Sequence, residues 1–132
     1  MKIIADTNIL LRVFINDDPA QAQAARMSLM EADAVVIGRH AMCELAWVLR
    51  HSYKFSMNQI ADLIRELQDK ENVVTDRAAV EAGLAAMDAG ADFADGVIAY
   101  EGRWLGGETF VSFDKKAVSA IAQQGHETRL VG

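Results

Sequence analysis

The sequence predicts an α/β fold with a mainly parallel sheet, because strand patterns and helix patterns alternate along the chain. Short runs of β-branched residues alternate with longer segments of helical periodicity from one end of the chain to the other. Strands separated by helices imply βαβ units, and therefore a largely parallel sheet with right-handed crossovers. No uncharged apolar stretch is long enough to span a bilayer, so no membrane contact is expected. We therefore expect a layered α/β/α architecture.

The individual elements follow from local signals. Strands are predicted at residues 2–5, 34–37, 109–113 and 128–131, with a short fifth strand at 73–75, so the sheet has four to five strands. The segments DPAQ at 18–21 and SMNQ at 56–59 have the residues of helix capping boxes. Further helices are predicted over about 39–51, 76–88, 92–104 and 114–124. Gly106-Gly107 predicts a turn and Gly125 a helix stop.

Composition limits the possible classes of protein. The chain has 132 residues, of which 52% are hydrophobic and one is Pro, so a folded domain over residues 1–132 is expected and disorder is not. Its 19 acidic and 13 basic residues leave a net charge of −6, which argues against a basic coat for nonspecific nucleic-acid binding. Cys43 is the only cysteine, so neither an intrachain disulfide nor a cysteine zinc site is possible. A cytoplasmic location is the simplest interpretation.

Acidic residues recur where predicted strands end or helices begin. Asp6 and Asp114 follow strands, Glu44 lies just over one turn into the helix after strand 34–37, and Asp92 and Asp95 open their own helix. Ligands bind at the edge where the carboxyl ends of parallel strands meet, so these acids are candidates for one site. Each also has an ordinary structural interpretation, as a helix N-cap or as a solvated residue of a helix.

A cluster of these five carboxylates would need a cation. Like charges repel and raise one another's pKa values, whereas Mg²⁺ and Mn²⁺ prefer oxygen ligands. Such an ion orients and acidifies a water molecule and offsets charge on a phosphate. Without the five acids, 14 acidic residues would face 13 basic ones, so the proposed site accounts for most of the negative charge.

Four segments together resemble a known family. IIADTNILL, MCELAWVL, GADFADGVIA and VSFDKKA resemble the acidic signatures of PIN-domain nucleases, and their order and spacing resemble the VapC toxins of type II toxin–antitoxin modules. The resemblance implies a single PIN domain over residues 1–132, with a three-layer α/β/α sandwich. It also implies that Mg²⁺ or Mn²⁺ binds Asp6, Glu44, Asp95 and Asp114, with Asp92 as a further catalytic acid. Asp95 is favoured over Asp92 because it begins the family pattern Asp-x-x-Ile-Ala.

The same resemblance implies an activity and partners. A metal-activated water would hydrolyse a phosphodiester of structured RNA, usually tRNA, leaving a 5′-phosphate and a 3′-hydroxyl. The toxin would be a homodimer, a VapB-type antitoxin would inhibit it, and promoter DNA would be contacted only through that antitoxin. Small polar residues that support the carboxylates are expected at Thr7, Asn8 and Ser112.

Other interpretations differ in specific residues. A haloacid-dehalogenase-like phosphatase needs a second Asp where Asn8 stands, and a response-regulator receiver needs an acidic pair after the first strand. A non-catalytic dimeric metal-binding module that acts with a DNA-binding partner at a promoter (FitB-like) stays open. His40, four residues before Glu44, is a surface residue or a further ligand. Trp47 and Trp104 are assigned to the core or a dimer surface, or, if exposed, to stacking of an RNA base.

Overall fold

The computed structural model describes residues 1–132 as five strands and seven helices. Every strand pairing is parallel, so the predicted α/β class is confirmed. None of the helices is long and apolar enough to cross a membrane. In chain order the elements are β1 (Lys2–Ile4), α1 (Thr7–Phe14), α2 (Pro19–Glu31), β2 (Ala34–Val36), α3 (Arg39–His51), α4 (Met57–Gln68), β3 (Val73–Val74), α5 (Arg77–Asp88), α6 (Phe93–Trp104), β4 (Thr109–Ser112), α7 (Lys115–Gln123) and β5 (Glu127–Leu130).

Backbone hydrogen bonds join the five strands into two sets. The first sheet has the order β1-β2-β3 and the second pairs β4 with β5. The number of strands is as predicted, but the hydrogen-bonded ladder is split three and two where a single sheet of four to five strands was expected. The chain correspondingly forms two compact units, Met1–Asp76 and Arg77–Gly132. That residues 1–132 act as one domain stays a prediction.

The first unit packs helices α3 and α4 through apolar stripes. Ser56 begins α4 with the predicted capping box, because its Oγ accepts from the Gln59 N–H at 3.1 Å and the Gln59 side chain accepts from the Ser56 N–H at 2.9 Å. The buried side chains recur every three or four residues, which defines one inward face for each helix. They are Met42, Leu45, Ala46 and Leu49 in α3 and Ile60, Ala61, Ile64 and Leu67 in α4. The intervening residues of α3 consequently face solvent.

The second unit is built around the packing of α5 and α6. A Cβ atom added at Gly96 of α6 would lie 2.1 Å from the carbonyl oxygen of Ala82 in α5, so only glycine permits this approach. Helix α7 buries Ala117, Ala120 and Ile121, and it ends before Gly125, whose φ of 86° is strained for any other residue. The predicted helix stop at Gly125 is therefore confirmed.

The contact at Gly96 predicts a difference between two glycines of one helix. Gly96→Ala should destabilise the protein by about 1–3 kcal/mol, because the methyl group forces apart two backbones. Gly102→Ala, also in α6, has no heavy atom within 4 Å of the added Cβ and should be neutral or stabilising by up to about 1 kcal/mol through helix propensity. Urea unfolding of the three proteins measures both effects, and equal midpoints would contradict the packing of α5 against α6.

Candidate active site

Asp6 joins the end of β1 to the start of α1. Its Oδ1 accepts a hydrogen bond from the Thr7 N–H at 2.7 Å, and its carbonyl oxygen accepts from the N–H groups of Ile9 and Leu10. The neighbouring Ala5 and Thr7 are buried, whereas Asp6 itself is exposed. The structure thus gives Asp6 the N-cap role that the sequence allowed, with its carboxylate open to solvent.

Glu44 lies in the second turn of α3, on the face opposite the buried stripe. Its side chain is exposed, and it is the only acidic residue of this helix. Helices α1 and α3 pack against each other in the first unit, so the elements that carry Asp6 and Glu44 are neighbours. The amphipathic pattern of α3 therefore presents the Glu44 carboxylate to solvent.

Asp114 repeats in the second unit the arrangement seen at Asp6. It follows β4 and begins α7, and its Oδ1 accepts from the N–H groups of Lys116 at 2.9 Å and Ala117 at 3.3 Å. The Ser112 Oγ accepts from the Asp114 N–H at 3.0 Å, so the small polar residue expected to support this carboxylate does contact its backbone. Lys115 and Lys116 follow directly and are exposed.

Asp92 and Asp95 lie together at the start of α6. The Asp95 Oδ2 accepts from the Asp92 N–H at 3.1 Å, and Asp95 is half-buried while Asp92 is exposed. Burial raises the pKa of Asp95 above its usual value, and the charges of Asp92 and Asp114 raise it further, although the hydrogen bond from Asp92 lowers it. The second unit therefore places Asp92 and Asp114 within electrostatic reach of Asp95.

None of the five candidate acids forms a salt bridge. Ion pairs are formed by other carboxylates, among them those of Asp17, Asp33 and Asp76. Within neither unit do three or more His, Cys, Asp or Glu side chains form a group ready to hold a metal ion. The acids are thus uncompensated by Lys or Arg, and their joint binding of one ion stays a prediction.

Comparison with known protein families identifies the family of the chain. The family model of the PIN domain matches residues 3–122, which contain all five candidate acids. The chain belongs to the PIN domain family. No curated protein gives a significant match. PIN domains are generally nucleases and typically depend on divalent metal ions.

The side chains of this PIN domain fit such an ion chemically. The candidate ligands are all carboxylates, which are the donors that Mg²⁺ and Mn²⁺ prefer. Asp95 is the most informative of them, because burial and two neighbouring negative charges disfavour its ionised form. A bound cation reverses that preference, since it favours the ionised carboxylate.

Several aromatic side chains are more exposed than a position in the core would allow. Trp47 and Trp104 are 57% and 77% exposed, which excludes the core and leaves the alternatives of a dimer surface or base stacking. Phe113, directly before Asp114, is 78% exposed and was not singled out. A signal for Trp47 was available, because it lies three residues after Glu44 and outside the buried positions of α3.

The raised pKa of Asp95 predicts how stability depends on pH without metal. The folded protein binds the Asp95 proton more tightly than the unfolded chain, so this group favours folding at low pH and the benefit is lost as pH rises through the folded pKa. Asp95→Asn in EDTA should therefore raise the melting temperature at pH 7 by a few degrees, and the gain should vanish in acid.

The exposed Asp62 of α4 supplies the control for net charge. Asp62→Asn removes one negative charge from the other unit, so its effect is subtracted from that of Asp95→Asn. Calorimetric melting between pH 3 and 8 makes the comparison. A pH-independent difference between wild type and Asp95→Asn would contradict the electrostatic account of Asp95.

Proposed function

We propose that this PIN domain is a metal-dependent endoribonuclease toxin of the VapC type. The observation that carries the proposal is the set Asp6, Glu44, Asp95 and Asp114, which follows the family's acidic pattern in order and lies wholly within the family match. Three of these acids occupy the first turn or N-cap of a helix, and Glu44 projects from an exposed helix face. None is neutralised by a salt bridge.

The four carboxylates would hold one or two Mg²⁺ or Mn²⁺ ions, with Asp92 as an additional acid. When bound, the ion supplies an acidified water and offsets charge on the phosphate under attack. The carboxylates of Asp6 and Asp114 are oriented by hydrogen bonds that they accept from helix N–H groups, so their side chains would lose little freedom when a metal ion binds. Burial and the charges of Asp92 and Asp114 raise the pKa of Asp95, and a bound cation would favour its ionised form.

RNA is the substrate we infer. Lys115 and Lys116 are exposed directly after Asp114, where cationic side chains would contact the phosphates beside the cleaved bond. With a net charge of −6, the protein has little general attraction for a polyanion. A structured RNA with unpaired loop nucleotides, such as tRNA, presents both a reachable backbone and base edges in one place.

The same proposal includes partners and location. We infer a cytoplasmic homodimer that is inhibited by a VapB-type antitoxin and that reaches promoter DNA only through that antitoxin. The family relationship supports these inferences, since PIN domains include RNA-cleaving toxins with such partners. An acidic catalytic surface would suit an antitoxin segment with a basic residue, because a cation is what the uncompensated carboxylates lack.

Conservative substitutions of the acids test the catalytic assignment. Asp6→Asn, Asp95→Asn, Asp114→Asn and Glu44→Gln should each lower cleavage of total tRNA in Mn²⁺ by about 100-fold or more, because each removes a charged ligand. Asn caps helices about as well as Asp, so the Asp6 and Asp114 variants should keep their helices. Gel analysis and sequencing of 5′-monophosphate ends measure the activity.

Asp18 provides a matched control for the capping role. Its side chain begins α2 by accepting from the Gln21 N–H at 3.2 Å, but it lies outside the acidic signatures. Asp18→Asn should therefore cleave RNA like wild type. Undiminished cleavage by Asp6→Asn would defeat the assignment, and metal binding without any RNA cleavage would favour the non-catalytic promoter module.

A further inference from the structure

Helix α3 presents a continuous polar and aromatic stripe on its exposed face. His40, Glu44, Trp47 and His51 follow one another at spacings of four, three and four residues, which places them along one side of a helix. All four side chains are exposed, while Met42, Leu45 and Leu49 of the opposite side are buried. The stripe therefore carries an indole one turn from a candidate catalytic carboxylate.

Trp47 is held in a defined position on this stripe. Its ring centroid lies 4.6 Å from that of His51, with an angle of 37° between the planes. This contact restricts the indole, yet 57% of Trp47 stays exposed. A large aromatic face that is ordered and exposed loses little conformational entropy when a flat ligand stacks on it.

The charge of the surroundings indicates the chemistry of that ligand. Residues 39–55 contain Arg39, Arg50 and Lys54 against the single acid Glu44. Arg39 is paired with Asp76 at 3.5 Å, so the exposed Arg50 and Lys54, close in sequence to Trp47 and His51, are the cations that RNA phosphates would meet. This segment is therefore positive in a chain whose net charge is −6. An aromatic surface in a basic neighbourhood is the combination that binds single-stranded nucleic acid, because bases stack while cations contact the phosphates.

We propose that Trp47, supported by His51, is a stacking surface for one unpaired nucleobase of the RNA substrate. The proposal rests on the proposed function, and it adds a substrate-positioning residue to it. Trp47 lies about 4.5 Å along the helix axis from Glu44, so a base stacked there places its own sugar–phosphate close to that carboxylate. Stacking is tolerant of base identity, so Trp47 selects for an unstacked nucleotide and not for a sequence.

A second copy of the chain is the competing occupant of this surface. Pairing two α3 helices through it would offer Arg50 and Lys54 only one opposite charge, that of Glu44 in the other copy. An RNA strand supplies the complementary charge instead. The charge of residues 39–55 thus favours RNA over a symmetric contact.

Tryptophan fluorescence tests the proposal directly. Trp104→Phe leaves Trp47 as the only tryptophan, and Asp6→Asn is added so that RNA survives the titration with Mg²⁺ present. An unstructured RNA decamer should quench Trp47 by about half or more, and the same decamer with abasic positions should not. Trp47→Ala in the Asp6→Asn protein should weaken decamer binding, measured by anisotropy of a labelled RNA, by about tenfold, whereas Trp47→Phe should keep most of the affinity.

The control is Trp104→Ala, which removes an exposed indole from the end of α6 and should leave RNA affinity unchanged. The proposal would be overturned if the double variant Trp47→Ala/Asp6→Asn bound RNA as tightly as the single variant Asp6→Asn. Absence of quenching would also overturn it, as would conversion of a dimer to a monomer by Trp47→Ala in light scattering without RNA, which would make Trp47 a subunit contact.

A parallel cleavage assay separates this inference from the proposed function. Cleavage of tRNA by wild type in Mn²⁺, together with an increase of about tenfold in KM for Trp47→Ala and a smaller change in kcat, supports both. Quenching by the decamer without any cleavage by wild type supports the stacking surface and rejects the nuclease. Cleavage that is insensitive to Trp47→Ala rejects the stacking surface alone.

Discussion

The N-terminus of a helix needs hydrogen-bond acceptors, and the candidate site depends on this constraint. The first N–H groups of a helix have no partner within it, and carboxylates supply one while also matching the positive end of the helix dipole. In this chain Asp6 and Asp114 do so directly after strands. Both use Oδ1, so the cap orients each carboxylate without occupying its second oxygen. One interaction therefore stabilises local structure and prepares a ligand.

The electrostatic cost of this arrangement is not relieved within the chain. Asp95 is half-buried beside two negative charges, and no Lys or Arg forms a salt bridge with any candidate acid. A structural acid cluster is normally neutralised by such pairs or by protonation. The PIN family relationship offers the third solution, a divalent cation, which makes the strain at Asp95 part of the proposed function.

The sequence was sufficient for most of the secondary-structure elements and insufficient for features that depend on tertiary context, while the assignment of the site residues stays a prediction. Ser56 and Gln59 specify a helix start locally, and the observed capping box agrees with the prediction. The number of parallel strands was also predictable, whereas the division into three- and two-stranded ladders was not, because pairing depends on contacts between distant segments. For Trp47 the sequence left the core, a dimer surface and base stacking open, and its 57% exposure excludes the core.

Calorimetric titration of Mn²⁺ is the most direct test of the proposal's central claim, that the acids of the PIN signature bind a divalent ion. We predict that Asp6→Asn in the first unit and Asp95→Asn in the second each weaken Mn²⁺ binding by about tenfold or more, while Asp18→Asn binds like wild type. Unchanged Mn²⁺ affinity in both Asp6→Asn and Asp95→Asn would contradict the assignment of these acids as ligands.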